Sequence, residues 1–189
     1  MILSNVEIVK CLNEKIFSIA PLESLDPTKA PFNTTAVDLR LGDEIIIPHK
    51  SLPASIDLTK SGIANFLKAN SKTIKITPDQ PFTLKPHSLI LANTLEKVNF
   101  PINDAVCYSA RVEGRSSLAR CGILIHFTAP TIHAGFHGPI TLEIINLGSL
   151  DFLLTPEMSI CQLIIEEVKG KPLNAPNQFS GQTNPAGTK

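Results

Sequence analysis

Residues 138–146 read GPITLEIIN, and their alternation decides the fold. Ile140, Leu142 and Ile144 fall on one side of an extended chain, and Thr141, Glu143 and Ile145 on the other. That is the pattern of a strand with one face toward a core. Working outward, the same texture recurs in DEIIIPH (43–49), KTIKITP (72–78), HSLILANTLEKV (87–98) and AVCYSARVE (105–113). It continues in GILIHFTAP (122–130), DFLLTP (151–156) and SICQLIIEEV (159–168). Short β-branched runs broken by Pro, Gly and Asn, without alternating helices, predict an all-β barrel or sandwich.

Three segments differ. MILSNVEIVKCLNEK (1–15) predicts a short helix, with Ser4 as its cap and Glu7 completing a capping box. Ile8, Cys11, Leu12 and Ile16 would form its inner face. LTKSGIANFLKAN (58–70) suggests one more short helix, in an insertion. Residues 171–189 are rich in Pro, Asn, Gln and Gly, with Leu173 and Phe179 as their only large apolar side chains. Such a tail cannot bury enough surface to order itself; it frays or is ordered over something else. The expected organisation is one β domain over 1–170 followed by that tail.

Composition narrows the function. Lysine plus arginine equals aspartate plus glutamate at 17 each, so no basic field exists to attract a polynucleotide. The longest apolar runs are too short to span a membrane, and the N-terminus lacks a signal peptide's basic start and apolar core. A soluble, cytoplasmic protein is expected. Cys11, Cys107, Cys121 and Cys161 form no C-x-x-C pair, and three lie in apolar surroundings, as small buried hydrophobes of a reducing compartment would.

Several catalytic signatures are missing. The H-x-E and P-C-x-x-C of zinc base deaminases do not occur, nor do a P-loop, G-x-S-x-G or H-E-x-x-H. What remains is RVEGRSSLARCG (111–122). Gly114 would allow a tight turn, Ser116 or Ser117 would cap a short helix, and Gly122 would end it. A helix opening with two hydroxyls and Arg115 offers free N–H groups and a guanidinium to an anion, and Arg120 follows one turn later. The same residues equally describe a capped turn with surface arginines. Glu143 is also open to two readings: a solvated charge, or a carboxylate desolvated enough to have a raised pKa and to move protons near neutrality. His126, His133 and His137 crowd HFTAPTIHAGFHG (126–138), without the Cys or acidic spacing that a metal cluster needs. Phe136, among small residues, suits either a sugar face or the core.

Taken in order, these stretches resemble the dCTP deaminase branch of the trimeric dUTPase superfamily. The likeness is carried by MILSNVEI (1–8), TTAVDLRLG (34–42), VEGRSSLARCGI (112–123), TAPTIHAGF (128–136) with ITLEIIN (140–146), and LTPEMSICQLIIEEV (154–168). QFSGQTNP (178–185) is a looser match. The resemblance implies a distorted, jelly-roll-like β-barrel of the dUTPase-like kind, with a short N-terminal helix and few small helices. It also implies a homotrimer with active sites between subunits.

The implied reaction is metal-independent deamination of dCTP to dUTP and ammonia, feeding thymidylate synthesis. Mg²⁺ would ride on the triphosphate, with no zinc, and dTTP is an implied feedback inhibitor. Glu143 would be the general acid and base, and Arg120 would stabilise developing charge with Ser116 and the Ala129 carbonyl. Arg115, Ser116 and Ser117 would hold phosphates. Phe136 would face the deoxyribose, and the Thr141-Leu142 backbone would pair with the base. Gln182, and Gln178 where the family has a lysine, would belong to a C-terminal lid over 171–189. His133 stands where relatives commonly carry an aspartate that touches the sugar and, in dUTPases, positions the water attacking phosphate. Its presence argues for dUTP release rather than a dUTPase or a bifunctional, dUMP-forming reaction. A trimer that binds nucleotides without turning them over is the alternative from another class.

Overall fold

The computed structural model describes residues 1–49, 57, 63–103 and 106–173. Helix α1 spans Asn5–Asn13. Strands β1 (Ser18–Ala20), β2 (Phe32–Asn33) and β3 (Ala36–Pro48) follow, then helix α2 (Ile63–Ala69) and strand β4 (Ser71–Lys75). Strands β5 (Phe82–Leu84), β6 (Leu89–Asn99) and β7 (Cys107–Gly114) precede the short helix α3 (Ser116–Ala119). The remainder is β8 (Ile123–Leu124), β9 (Thr131–Ile132), β10 (His137–Asn146), β11 (Phe152–Leu154) and β12 (Ser159–Val168). The protein is mainly β, as the alternation predicts.

One sheet runs in the order β8-β10-β6-β3-β12-β7-β9, with β1 on β6 and both β2 and β4 on β3; β11 and β5 pair separately. Its first and last members are bound together by sequence. β9 sits at one end and β10 beside the other, yet only residues 133–136 connect them. The sheet must therefore curl until its ends approach. Phe100 stitches that closure, donating its amide to the Phe136 carbonyl at 3.0 Å and accepting from the Gly135 amide at 2.6 Å.

The interior is filled by alternate residues of the long strands. Val37, Leu39 and Leu41 of β3, Ile140, Leu142 and Ile144 of β10, and Leu163 and Ile165 of β12 are all buried in one cluster. Each such side chain contributes about 1.5–3 kcal/mol. Helix α1 closes one side. Ser4 caps it, its hydroxyl accepting from the Glu7 amide at 3.3 Å, and Ile8, Val9 and Cys11 enter the core. The Glu7 carboxylate turns to Lys10, 3.0 Å away, instead of back to the cap as a full box requires.

One expectation changes. GILIHFTAP contributes only the two-residue strand β8, because the chain leaves the sheet there to cross between its ends. The insertion helix is present over Ile63–Ala69, and residues 58–62 of the expected stretch lie outside the described residues.

Candidate active site

Three segments cross the gap between the ends of the curled sheet. Residues 115–122 carry the chain from β7 to β8, residues 125–130 carry it from β8 to β9, and residues 133–136 carry it from β9 to β10. The expected site residues that are described lie in these crossings and on β10 beside them.

Helix α3 starts differently from expectation. Arg115 occupies the N-cap in extended conformation, without a side-chain capping bond, and Ser116 and Ser117 are the first two helical residues. The first intrahelical bonds come from the Leu118 and Ala119 amides to the Arg115 carbonyl, so the amides of both serines precede the ladder. Both serines and Arg120 are exposed. Gly114 needs no left-handed backbone; it simply ends β7. Gly122 does, with φ of +86° directly after the helix, and an added Cβ would stand 2.6 Å from the Gly148 amide nitrogen. Leu147 donates to the Gly122 carbonyl at 2.7 Å, which fixes the helix against the end of β10.

Arg115 is tied down. Its Nη2 lies 3.3 Å from Oδ2 of Asp38, and Nη1 donates to the Ser159 carbonyl at 3.2 Å. The other Asp38 oxygen accepts from Asn33 Nδ2 at 2.8 Å and Gln162 Nε2 at 3.1 Å. Sequence reasoning passed over Asp38 and Gln162. The signal was available in VDLRL: with Val37, Leu39 and Leu41 inward, Asp38 and Arg40 must face out of the same strand.

On β10, Leu142 is fully buried, while Thr141 and Glu143 are half-buried on the opposite face. Glu143 stands opposite Leu91 of β6, and Thr141 opposite Asn93. Thr141 Oγ1 donates to Asn93 Oδ1 at 3.1 Å. The ladder slips between Pro139 and Thr141, and the Ile140 amide there donates to Thr94 Oγ1 at 2.9 Å. A bulge at this point re-aims the residues that follow it. One row further along β10, Ile145 lies between Leu124 of β8 and Leu89 of β6, and both leucines are exposed.

Asn146, three residues after Glu143 on β10, opposes Ile123 of β8, three residues after Arg120 at the end of α3. Glu143 is roughly 10 Å along β10 from Asn146.

The other expected residues divide. Ala129 and His133 are exposed, flanking β9. Phe136 is 5% exposed and packs in the core, so most of its ring is used there. The His126 Nδ1 is buried without a hydrogen-bond partner. Among the described residues, no group of three His, Cys, Asp or Glu side chains is placed to hold a metal ion. Gln178 and Gln182 lie outside the described residues, as does most of the expected lid.

Residues 2–168 match the family model described as dCTP deaminase-like. A protein of Dictyoglomus turgidum named dCTP deaminase, dUMP-forming, is 40% identical over 163 residues, covering 86% of this chain and 78% of that one. A Haloarcula marismortui protein named dCTP deaminase is 34% identical over 195 residues, covering 100% of this chain and 94% of its own length. The crystal structure of 2'-deoxycytidine 5'-triphosphate deaminase from Agrobacterium tumefaciens shares the fold, with a TM-score of 0.65 at 18% identity. That alignment covers 92% of this chain, which spans about half (49%) of the larger protein. With nearly its whole length matched, the chain belongs to the dCTP deaminase-like family.

Proposed function

We propose that this protein deaminates dCTP by hydrolysis, giving dUTP and ammonia. The observation that carries the proposal is Glu143: a half-buried carboxylate on β10, next to the Thr141–Asn93 hydrogen bond, in a chain of the dCTP deaminase-like family. Water adds to C4 of cytosine, forming the new C–O bond, as Glu143 takes the water's proton and delivers it to N3. The hydroxyl proton then passes through the same carboxylate to the amino group. The C4–N bond breaks, ammonia leaves and the C4 carbonyl remains.

The outward-facing arginines fit the remaining charge. Arg115 and the exposed Ser116 and Ser117, with amides free of the helical ladder, suit a triphosphate. Arg120 and the Ala129 carbonyl suit the attacking water and the charge that develops on it. His133 lies next to the sugar in this reading, Thr141 and Leu142 offer their backbone to the base edge, and Phe136 presents only the accessible margin of its ring. Mg²⁺ enters with the nucleotide, on its phosphates. Gln178 and Gln182, in the tail, have side chains suited to hydrogen-bonding its phosphates.

Assembly completes the site. In this reading the catalytic set is composed between subunits of a homotrimer. The exposed leucine row beside Ile145 suits burial in such an assembly.

Release of dUMP is a second reading, favoured by one observation. Relatives named dUMP-forming include that of Dictyoglomus turgidum at 40% identity and one of Methanosphaera stadtmanae at 37%. Incubation with dCTP and Mg²⁺, followed by nucleotide chromatography and an ammonia assay, separates the two. dUTP and ammonia in equal amounts is the expected result. dUMP with pyrophosphate would replace it with the bifunctional reaction, and the absence of ammonia would remove deamination altogether.

A further inference from the structure

We infer that Asp38 is a positioning residue for the phosphate-binding arginine. The inference rests on the proposed role of Arg115, and it extends the site to β3 and β12, which no part of the reaction scheme otherwise uses.

The geometry is specific. Asp38 projects from near the start of β3, between the buried Val37 and Leu39, and its side chain is 15% exposed. One carboxylate oxygen faces Arg115 Nη2 at 3.3 Å; the other is held by two amide donors, Asn33 at 2.8 Å and Gln162 at 3.1 Å. Gln162 lies opposite Asp38 in the β12–β3 ladder, so both are fixed by backbone pairing. The guanidinium is thus pinned by a carboxylate that cannot rotate freely, and by the Ser159 carbonyl on its other nitrogen. An unrestrained arginine loses substantial rotamer freedom on binding an anion, and pre-fixing it removes that cost. These two contacts leave the rest of its N–H fan unspent for a phosphate.

A purely structural ion pair would show itself in stability. A positioning pair shows itself in how strongly phosphates are held. The test compares wild type, Asp38→Asn, Arg115→Gln and the double variant, in steady-state kinetics with dCTP and Mg²⁺ and in binding of dCTP and of deoxycytidine. Asp38→Asn keeps the shape and the Asn33 and Gln162 neighbours but loses the charge. The expected result is a KM for dCTP raised about tenfold, on the scale of one charge-assisted hydrogen bond, with kcat within about twofold. Deoxycytidine binding should be unchanged. In the Arg115→Gln background the second substitution should add nothing.

Should Asp38→Asn fail to fold, Gln162→Leu loosens the same carboxylate and should raise the KM about threefold, again without touching deoxycytidine. The inference is overturned if Arg115→Gln raises the KM while Asp38→Asn and Gln162→Leu do not. Multiplicative effects of Asp38→Asn and Arg115→Gln would overturn it too. If Arg115→Gln itself leaves the KM for dCTP unchanged, the phosphate role of Arg115 fails first, and the role of Asp38 with it.

Discussion

Glu96 holds Arg40 by side chain and backbone at once: Oε1 lies 2.7 Å from Nε, and Oε2 accepts from the Arg40 amide at 2.7 Å. The Glu96 side chain is 2% exposed and that of Arg40 is 18% exposed, so the pair fastens β3 to β6 inside the sheet. Its second guanidinium nitrogen reaches Glu23 at 2.6 Å, tying in the segment after β1. Removing one partner of a buried pair strands the other. Glu96→Ala is expected to cost about 3–5 kcal/mol, seen as a loss of roughly 10 °C or more in Tm. A change under about 1 kcal/mol would mean that water reaches Arg40 readily.

The single tyrosine reports on alkaline unfolding. Tyr108 is buried against Phe17 and accepts a hydrogen bond from Cys11 Sγ at 3.7 Å. Burial first, and then Cys11, push its phenol well above the ordinary 10.0. A group raised in the fold contributes stability that is complete below its unfolded value and is lost as pH climbs from there toward the folded one. Chemical denaturation should therefore give stability that is flat on the neutral side and falls once pH passes 10.0. Tyrosinate absorbance should rise together with loss of far-UV circular dichroism, and Tyr108→Phe should shallow the decline. Tyrosinate appearing while the fold persists would contradict the burial.

Thiol reactivity should follow the fold as well. Cys11, Cys107 and Cys161 are buried and Cys121 is exposed. Burial raises the Cys161 thiol far above its usual value, which keeps it protonated and inert. A thiol-reactive dye should label one cysteine rapidly in the native protein and four after unfolding, with Cys121→Ser abolishing the fast phase. Rapid labelling of a second cysteine in that variant would contradict this placement.

Gly122 joins the arginine helix to the end of β10, and its backbone requires a positive φ. Gly122→Ala adds strain of about 1–3 kcal/mol and a Cβ that meets the Gly148 backbone. Lower Tm together with reduced turnover is expected, since Arg120 lies two residues away. Unchanged stability would show that the 121–122 and 147–148 segments can separate without cost.

Much of this was legible in the chain. The alternation in GPITLEIIN correctly set Ile140, Leu142 and Ile144 inside and Glu143 on the other face, because a strand has only two faces and one must be apolar. Ser4 announced its helix for an equally local reason. The site's other half was harder. That Arg115 would cap its own helix, leaving the serines inside it, depends on where β7 ends, and that is set by pairing with β12. The Asp38–Arg115 and Arg40–Glu96 pairs join residues far apart in sequence, and only the strand order brings them together. The small neighbours of Phe136 left a sugar face and the core both open; the burial of its ring depends on the closure, where its backbone pairs with Phe100.

The proposal of deamination depends most on Glu143, and one paired measurement reaches it. Ammonia release from dCTP and Mg²⁺ is followed in wild type and Glu143→Gln, with dCTP binding measured on the same preparations. The account predicts ammonia equal to dCTP consumed in wild type. The variant should turn over roughly 10²–10⁴-fold more slowly, with nucleotide affinity within a fewfold of wild type. Turnover at the wild-type rate in Glu143→Gln, or no ammonia from wild type while dCTP binds, would contradict it.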